Sequence, residues 1–413
     1  MEFFKIFLIC FCLSAACKCQ PSVKNSEILF GADILIKENL DLLKNKNVGL
    51  IINQTSLLKN GTPLLDSLMK IGINVKAIFA PEHGFRGQNA AGELLEDLID
   101  DDTGIKVYSL YGTEKKPMTV MLKDVDLLIF DIQDIGSRFY TYISTLYYII
   151  EASAENNIPL IVLDRPNPLG GLNVEGPVLN KNFKSFIGIA EIPVLHGMTI
   201  GELANLFNDD VKKSINGAEL TVVKMSGWKR NFDWEDINYN WVSTSPNIPD
   251  FETALIYPGT CLLEGTNISE GRGTESPFKI IGAPFINSDD LISALNNYEL
   301  HSVLISDVSF IPGDIPGKTT DPKFENEQCN GIKIQITDKE KFKPVEFGIK
   351  LICSLNKLYP NDFQFRKDHF DKLIGSNYIR EMISDGIHPD SIINSWQKKL
   401  DQFKEKRKTY LLY

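Results

Sequence analysis

Val75-Lys76-Ala77-Ile78-Phe79, continuing into Ala80-Pro81-Glu82-His83-Gly84-Phe85-Arg86-Gly87, is the stretch from which the rest of the chain is read. Its first five residues have the composition of a buried strand, and Pro81, Gly84 and Gly87 then break the chain into an irregular turn. The turn gathers Glu82, His83 and Arg86 at the strand's carboxyl end. In open α/β sheets ligands bind outside the carboxyl ends of the strands, so this placement has a mechanical reason to be functional. The simpler account makes Glu82 a cap and His83 the partner of a backbone carbonyl. What decides between the two is whether other strand ends carry the same kind of residues.

Working outward, Val48–Ile52 reads as a buried strand ending at Asn53, and Thr62-Pro63 opens a helix that Gly72 stops. Lys106–Leu110 and Asp126–Phe130 are further strands, Phe139–Asn156 is a long apolar helix, and Leu160–Leu163 is another buried strand. Strands without alternation, separated by helices, imply a parallel sheet covered on both faces. The fold class is therefore α/β: a Rossmann-like, doubly wound domain over residues 20–200, followed by a smaller α+β domain over 201–413 that completes a cleft. In the second half Glu219–Met225 and Gly331–Thr337 are strand-like, while Pro344–Leu358 and Ser391–Phe403 are helical. No Gly-x-Gly-x-x-Gly follows the first strand, so no nicotinamide cofactor is inferred.

Each strand end of the first domain delivers polar groups. They are Asn53-Gln54-Thr55, then Glu82-His83 with Arg86, then Asp131-Ile132-Gln133-Asp134 with Arg138, then Asp164-Arg165-Pro166-Asn167-Pro168. Turns do not need arginine and carboxylate at every strand, so a polar cleft is expected. For single residues structural roles stay open: Asp131 or Asp134 as a helix cap, Asp164 with Arg165 as an ion pair, Tyr140 as packing with a hydroxyl near the cleft. His196 precedes a helix start at Thr199. The glycine-rich segment 257–274 carries Glu264, Asn267, Glu270 and Arg272, either to meet the cleft from the far side or to hold a surface loop together.

The net charge of −11 over 413 residues argues against a nucleic-acid partner. Phe3–Ala16 is an apolar stretch behind Lys5 that ends in small residues, the anatomy of a signal peptide over residues 1–19. An exported protein of the periplasm or cell envelope is expected, with a lipid on Cys17 as the one membrane tie left open. Of seven cysteines, Cys261, Cys329 and Cys353 remain beyond that segment and allow at most one disulfide. The five histidines are scattered without metal-ligand spacing. Nucleophile elbow, phosphate loop and metalloprotease helix are all absent from the sequence, so neither cofactor nor metal is inferred. Carboxylates and aromatics in a polar cleft of an exported protein point to glycosidic bonds, where paired carboxylates do the acid–base work.

Six motifs then form a pattern: Phe79-Ala80-Pro81-Glu82-His83-Gly84; Tyr108-Ser109-Leu110-Tyr111-Gly112; Phe130–Asp134 with Arg138–Tyr142; Leu163–Pro168; His196–Thr199; and Glu264–Asn267 through Glu270–Gly273. In this order, from about Asn45 to Tyr413, they resemble the NamZ-type exo-β-N-acetylmuramidases. The resemblance implies removal of one N-acetylmuramic acid from the non-reducing end of peptidoglycan fragments such as MurNAc-GlcNAc. It also implies an active site between a Rossmann-like domain and a smaller C-terminal one, with the motif glutamate, here Glu82, as the catalytic carboxylate. Glu82 is expected to be the general acid, with His83 orienting it or sharing its proton. Asp131, Asp134, Asp164 and Glu270 compete for the second catalytic or hydroxyl-binding role. Arg138, Arg86 and Arg272 are the candidates to read the lactyl carboxylate. Asn53, Gln133, Tyr140, Arg165, His196, Glu264 and Asn267 complete the expected lining. The alternative is a peptidoglycan-sugar binder that keeps the cleft without turnover.

Overall fold

The computed structural model describes residues 27–413 apart from 88, 91, 94 and 95; the signal-peptide reading of residues 1–19 lies outside them. Helix α1 (Gly31–Glu38) leads into strand β1 (Asn47–Ile52), helix α2 (Leu64–Lys70) and β2 (Asn74–Ala80). A two-residue β3 (Leu98–Ile99), β4 (Lys106–Ser109), β5 (Leu127–Asp131), α3 (Tyr142–Asn156), β6 (Leu160–Leu163), α4 (Ile200–Val211) and β7 (Leu220–Val223) follow. The sheet order is β3-β4-β2-β1-β5-β6-β7, parallel throughout except for β3 against β4. From β1 the chain winds outward through β2 to β4, then returns to β5 on the other side of β1 and winds outward again. The reversal falls between β1 and β5, the place where such sheets bind ligands.

Neighbouring residues of the central strands enter different cores, as burial on both faces requires. Leu50, Ile78 and Ile129 pack toward α1 and α2, whereas Ile51, Phe79 and Phe130 pack toward α3 and α4. Thr199 caps α4, with the Glu202 carboxylate accepting in return from the Thr199 N–H in a capping box. The sheet continues past residue 200, because α4 and β7 complete it. The doubly wound unit therefore extends past residue 200: the strand read at Glu219–Met225 as part of the second half pairs with β6 as the edge of the first sheet.

The second domain is smaller, as expected. Helix α5 (Phe251–Thr260) crosses α7 (Pro344–Leu358) at Gly259 and Gly348; a Cβ on Gly259 would lie 2.0 Å from the Pro344 carbonyl oxygen. Strands β8 (Ile280–Ala283), β9 (Val303–Phe310) and β10 (Cys329–Ile336) form an antiparallel sheet in the order β8-β10-β9. Helix α6 (Ser288–Asn296) and helix α8 (Lys367–Ile374) complete the part that matters for the cleft. The expected helix 391–403 is two helices, Pro389–Ser395 and Gln397–Arg407, meeting at the buried Trp396. Cys261, Cys329 and Cys353 are all free thiols. One apolar core runs from α3 and α4 into α5, α7 and α8, so the two domains are packed on each other.

Candidate active site

Glu82 stands just beyond β2, half-buried. Thr141 Oγ1, at the start of α3, donates to its Oε2 at 2.7 Å, and the Gly92 N–H approaches Oε1 at 3.4 Å. Tyr111, following β4, is close enough to the same carboxylate that burial first, then the Glu82 charge, push its phenol well up. Tyr142 responds in the same way, through burial and then Glu82. The turn that presents Glu82 is strained where it must be sharpest. His83 sits in the left-handed region with φ +70°, which a non-glycine residue occupies at a cost of roughly 1–3 kcal/mol.

His83 is buried, and its Nδ1 lies 2.8 Å from the Asn89 carbonyl oxygen. A carbonyl only accepts, so Nδ1 carries the hydrogen and Nε2 keeps the lone pair. Burial lowers the imidazole pKa; Glu82 and the Asn89 bond oppose this, and the Arg272 charge adds to the lowering. His83 is thus a neutral ring that shapes the loop.

Arg272, in the second domain's glycine-rich loop, lies near enough for its charge to act on His83 and Tyr111 beside Glu82. Arg272 donates from Nε and Nη2 to Glu264 Oε1 at 3.2 and 2.8 Å, lies 3.6 Å from Glu270 Oε1, and covers the Phe278 ring at 5.0 Å. Lys323 pins Glu270 at 2.9 Å while also donating to the carbonyls of Leu263 and Ile268. His369 of α8 approaches Glu264 at 3.8 Å. Burial alone would raise the Glu264 carboxyl, but Arg272, with His369 and Lys323 behind it, outweighs burial and holds it down to about 2. The far wall is thus a fixed, ionised network with the guanidinium at its centre.

The near wall is built from β1. Asn53 is buried, its Oδ1 accepting from the Thr55 N–H and hydroxyl at 2.9 and 2.6 Å. Gln54 Nε2 donates to the Ser243 and Thr244 carbonyls at 2.9 and 3.2 Å. Tyr142 Oη donates to the Thr244 carbonyl at 2.6 Å, and Tyr140 Oη to Thr244 Oγ1 at 2.8 Å. Gly87, at φ +66°, passes so close to Gln54 that a Cβ there would lie 2.2 Å from its Cδ. Beneath lies Asp134, its Oδ2 accepting from the Gly136 N–H at 2.7 Å and 3.6 Å from His196 Nε2. His196 Nδ1 accepts from the Met198 N–H, so Nε2 bears the hydrogen and faces Asp134.

Several residues expected at the site are committed elsewhere. Asp131, read as a catalytic candidate, is fully buried in a two-pronged pair with Arg165, Nε to Oδ1 at 2.6 Å and Nη2 to Oδ2 at 2.8 Å. Neither has a charge to offer a ligand. Arg138 is fully buried and donates to the Pro177, Ile192 and Leu373 carbonyls at 2.7, 3.0 and 2.7 Å, bracing the two domains rather than reading a carboxylate. With no counter-ion, burial brings it down to about 9. Arg86 turns outward to Asp100 and Asp102, both at 2.6 Å. Gln133 bridges the Asp134 and Pro166 carbonyls at 2.7 Å each. Asp164 is buried, accepting from the Gly201 N–H at 2.7 Å, Thr199 Oγ1 at 2.8 Å and Tyr413 Oη at 2.6 Å; burial raises it to about 7. Asn267 clips the chain at Asp362 and Gln364, both at 2.8 Å.

The residues that sequence reasoning left out are Tyr111, Thr141, Lys323 and His369. Tyr111 and Thr141 sat inside the quoted motifs and signalled only packing or capping; Lys323 and His369 lie outside every motif. The described residues hold no group of three or more His, Cys, Asp or Glu placed to bind a metal.

Two family models match the chain consecutively: exo-β-N-acetylmuramidase NamZ, N-terminal, over residues 48–252, and its C-terminal counterpart over 255–413. The chain is 46% identical over 396 residues to the peptidoglycan β-N-acetylmuramidase NamZ of Bacillus subtilis (strain 168), covering 95% of this chain and 93% of that protein. It also superposes on crystal structures of two DUF1343 family proteins of Bacteroides fragilis NCTC 9343, with TM-scores of 0.84 at 36% identity and 0.76 at 33%. Each covers 94% of this chain and 99% of the other. The chain belongs to the NamZ exo-β-N-acetylmuramidase family.

Proposed function

We propose that this protein is an exo-acting glycosidase that releases N-acetylmuramic acid from the non-reducing end of peptidoglycan fragments such as MurNAc-GlcNAc, with Glu82 as its general acid and base. The observation that carries this is the Glu82 carboxylate, held by Thr141 and flanked by Tyr111 at the strand end, with the Arg272 ion-pair network of the other domain near enough for its charge to act on His83 and Tyr111 beside it. Glu82 gives its proton to the glycosidic oxygen as the bond to the anomeric carbon breaks. It then takes a proton from the water that completes hydrolysis, returning to its starting state. Thr141 fixes one carboxylate oxygen at 2.7 Å, and the other, touched only at 3.4 Å by the Gly92 N–H, addresses the leaving group.

Arg272 is the residue proposed to read the lactyl carboxylate that distinguishes muramic acid from glucosamine. Its Nε and Nη2 are spent on Glu264, and the planar guanidinium leaves Nη1 for a ligand. The other arginines expected for this task are committed elsewhere. On the reading of residues 1–19 as a signal peptide, the protein acts outside the cytoplasm, where such fragments arise. Mass analysis of the products from the disaccharide tests the reaction class. Free intact N-acetylmuramic acid supports a glycosidase, whereas loss of the lactyl group, or no product at all, overturns it.

A further inference from the structure

Beside the cleft, one wall segment continues into a second concavity of about 750 Å3, bordered by Trp234, Tyr239 and Trp241 with Asn60, Asn238 and Asn240 around its rim. We propose that this concavity is a second carbohydrate site, and that it takes the N-acetylated sugars still attached to the leaving oxygen when Glu82 acts. The inference rests on the glycosidase reading for that last clause only.

The chemistry of the lining fits an N-acetylated glycan. Trp234 meets Tyr239 edge-to-face at 6.0 Å and Trp241 at 5.1 Å, and Tyr239 and Trp241 are only half-buried. Partly exposed rings offer flat apolar surface to the C–H face of a pyranose, while side-chain amides can pair with hydroxyl and acetamido groups. Asn238 and Asn240 are exposed, and their side chains make no hydrogen bond among the described residues.

The aromatic floor is also fixed in place. Lys59 donates from Nζ to the Ile237 and Asn238 carbonyls at 2.6 and 3.1 Å and lies over the Phe30 and Tyr239 rings at 5.3 and 5.1 Å. Burial lowers its pKa against the pull of Asp33 and Glu27. A ring held in this way loses little freedom when a sugar stacks on it.

Continuity with the cleft supplies the direction. Asn238, Tyr239, Asn240 and Trp241 border the concavity, and the next turns of the same segment, Ser243 and Thr244, accept from Gln54, Tyr140 and Tyr142 on the cleft wall. Thr244 lies four positions beyond Asn240, at most roughly 14 Å of extended chain. The aromatic platform and the cleft wall are thus neighbouring parts of one segment.

The test is a titration of the full chain with the tetramer of β-1,4-linked N-acetylglucosamine, followed by tryptophan fluorescence, in which Trp234 and Trp241 report. A saturable change is expected, weakened at least tenfold by Tyr239→Ala and retained by Tyr239→Phe, which keeps the ring. Should Tyr239→Ala fail to fold, the double variant Asn60→Ala/Asn240→Ala, at exposed positions, is expected to weaken binding about fivefold. No saturable change in the wild type, or unchanged affinity in the folded variants, overturns the proposal. So does a tetramer that Arg272→Ala releases and Tyr239→Ala does not, because it then sits in the cleft. The titration involves no turnover, so a wild type that releases no N-acetylmuramic acid removes the reading of the cleft and leaves this site standing.

Discussion

Replacing Arg272 by Ala separates the two roles its position implies. The first is structural. Glu264, about one-quarter exposed, has its carboxyl held at about 2 against an ordinary 4.5, chiefly because Arg272 overcomes the burial that would raise it. At about 1.4 kcal/mol per unit, discounted for the partial exposure, that is roughly 2–3 kcal/mol of stability. A depressed carboxyl pKa stabilises the fold above its unfolded value and loses that contribution as pH falls through the folded one. Arg272→Ala should therefore cost about 2 kcal/mol in urea unfolding at pH 7, with the gap to wild type shrinking below pH 4.5 and closing near pH 2. The second role is recognition. A charged hydrogen bond to the lactyl carboxylate is worth about 1.5–3 kcal/mol, or roughly 10- to 150-fold in kcat/KM. The assay compares a chromogenic N-acetylmuraminide with its lactyl methyl ester, which lacks the charge. Wild type should prefer the acid, and Arg272→Ala should erase that preference. Equal loss on both compounds in a folded variant, with the preference intact, would refute the assignment of Arg272 as the reader.

The buried pair gives a contrasting expectation. Arg165→Met leaves the Asp131 carboxylate without its partner, and breaking such a pair costs about 3–5 kcal/mol, so the urea midpoint should drop sharply. If activity falls while the midpoint holds, Asp131 belongs to the chemistry after all. Glu175, buried in the first domain, accepts from the Glu346 N–H at 2.6 Å at the start of α7, and burial raises its carboxyl to about 8. A raised carboxyl binds protons more tightly in the folded state, so this group lowers stability as pH climbs from about 4.5 to 8. Glu175→Gln keeps the acceptor and should remove that decline, a gain of at most on the order of 4 kcal/mol at pH 8; an unchanged pH profile of unfolding counts against it. Gly87→Ala forces a Cβ onto Gln54 at positive φ and should cost about 1–3 kcal/mol while lowering kcat/KM, since Gln54 tethers Ser243 and Thr244. Wild-type kinetics in that variant would show that the tether does not set the cleft.

The sheet was legible because its strands are short apolar runs stopped by proline, glycine or polar residues, and because burial on both faces leaves no alternation to misread. The strand 160–163 read from sequence coincides with the observed one for that reason, and helix 344–358 does so because Pro344 sets its first turn. The turn after β2 was legible through Pro81, Gly84 and Gly87, which force the chain to expose Glu82. What the sequence concealed is which charged residue is spent where. Arg138 looks like a ligand-reading arginine until the chain brings it carbonyls from Pro177, Ile192 and Leu373, the last 235 positions away. Asp131 likewise looks available until Arg165 closes on it. Conversely, Thr141 reaches Glu82 across 59 positions, a contact that local pattern does not encode. Partners chosen by tertiary packing decide whether a carboxylate or guanidinium is a brace or a tool.

The most direct test of the account is the rate of N-acetylmuramic acid release from MurNAc-GlcNAc by wild type and Glu82→Gln, with both proteins shown to unfold at the same urea concentration. Removing a general acid lowers a glycosidase rate by a factor on the order of 10²–10⁴. The account predicts a loss of that size with the Thr141 contact and the fold intact. Release by Glu82→Gln within a few-fold of wild type would contradict it and move the catalytic acid to another carboxylate.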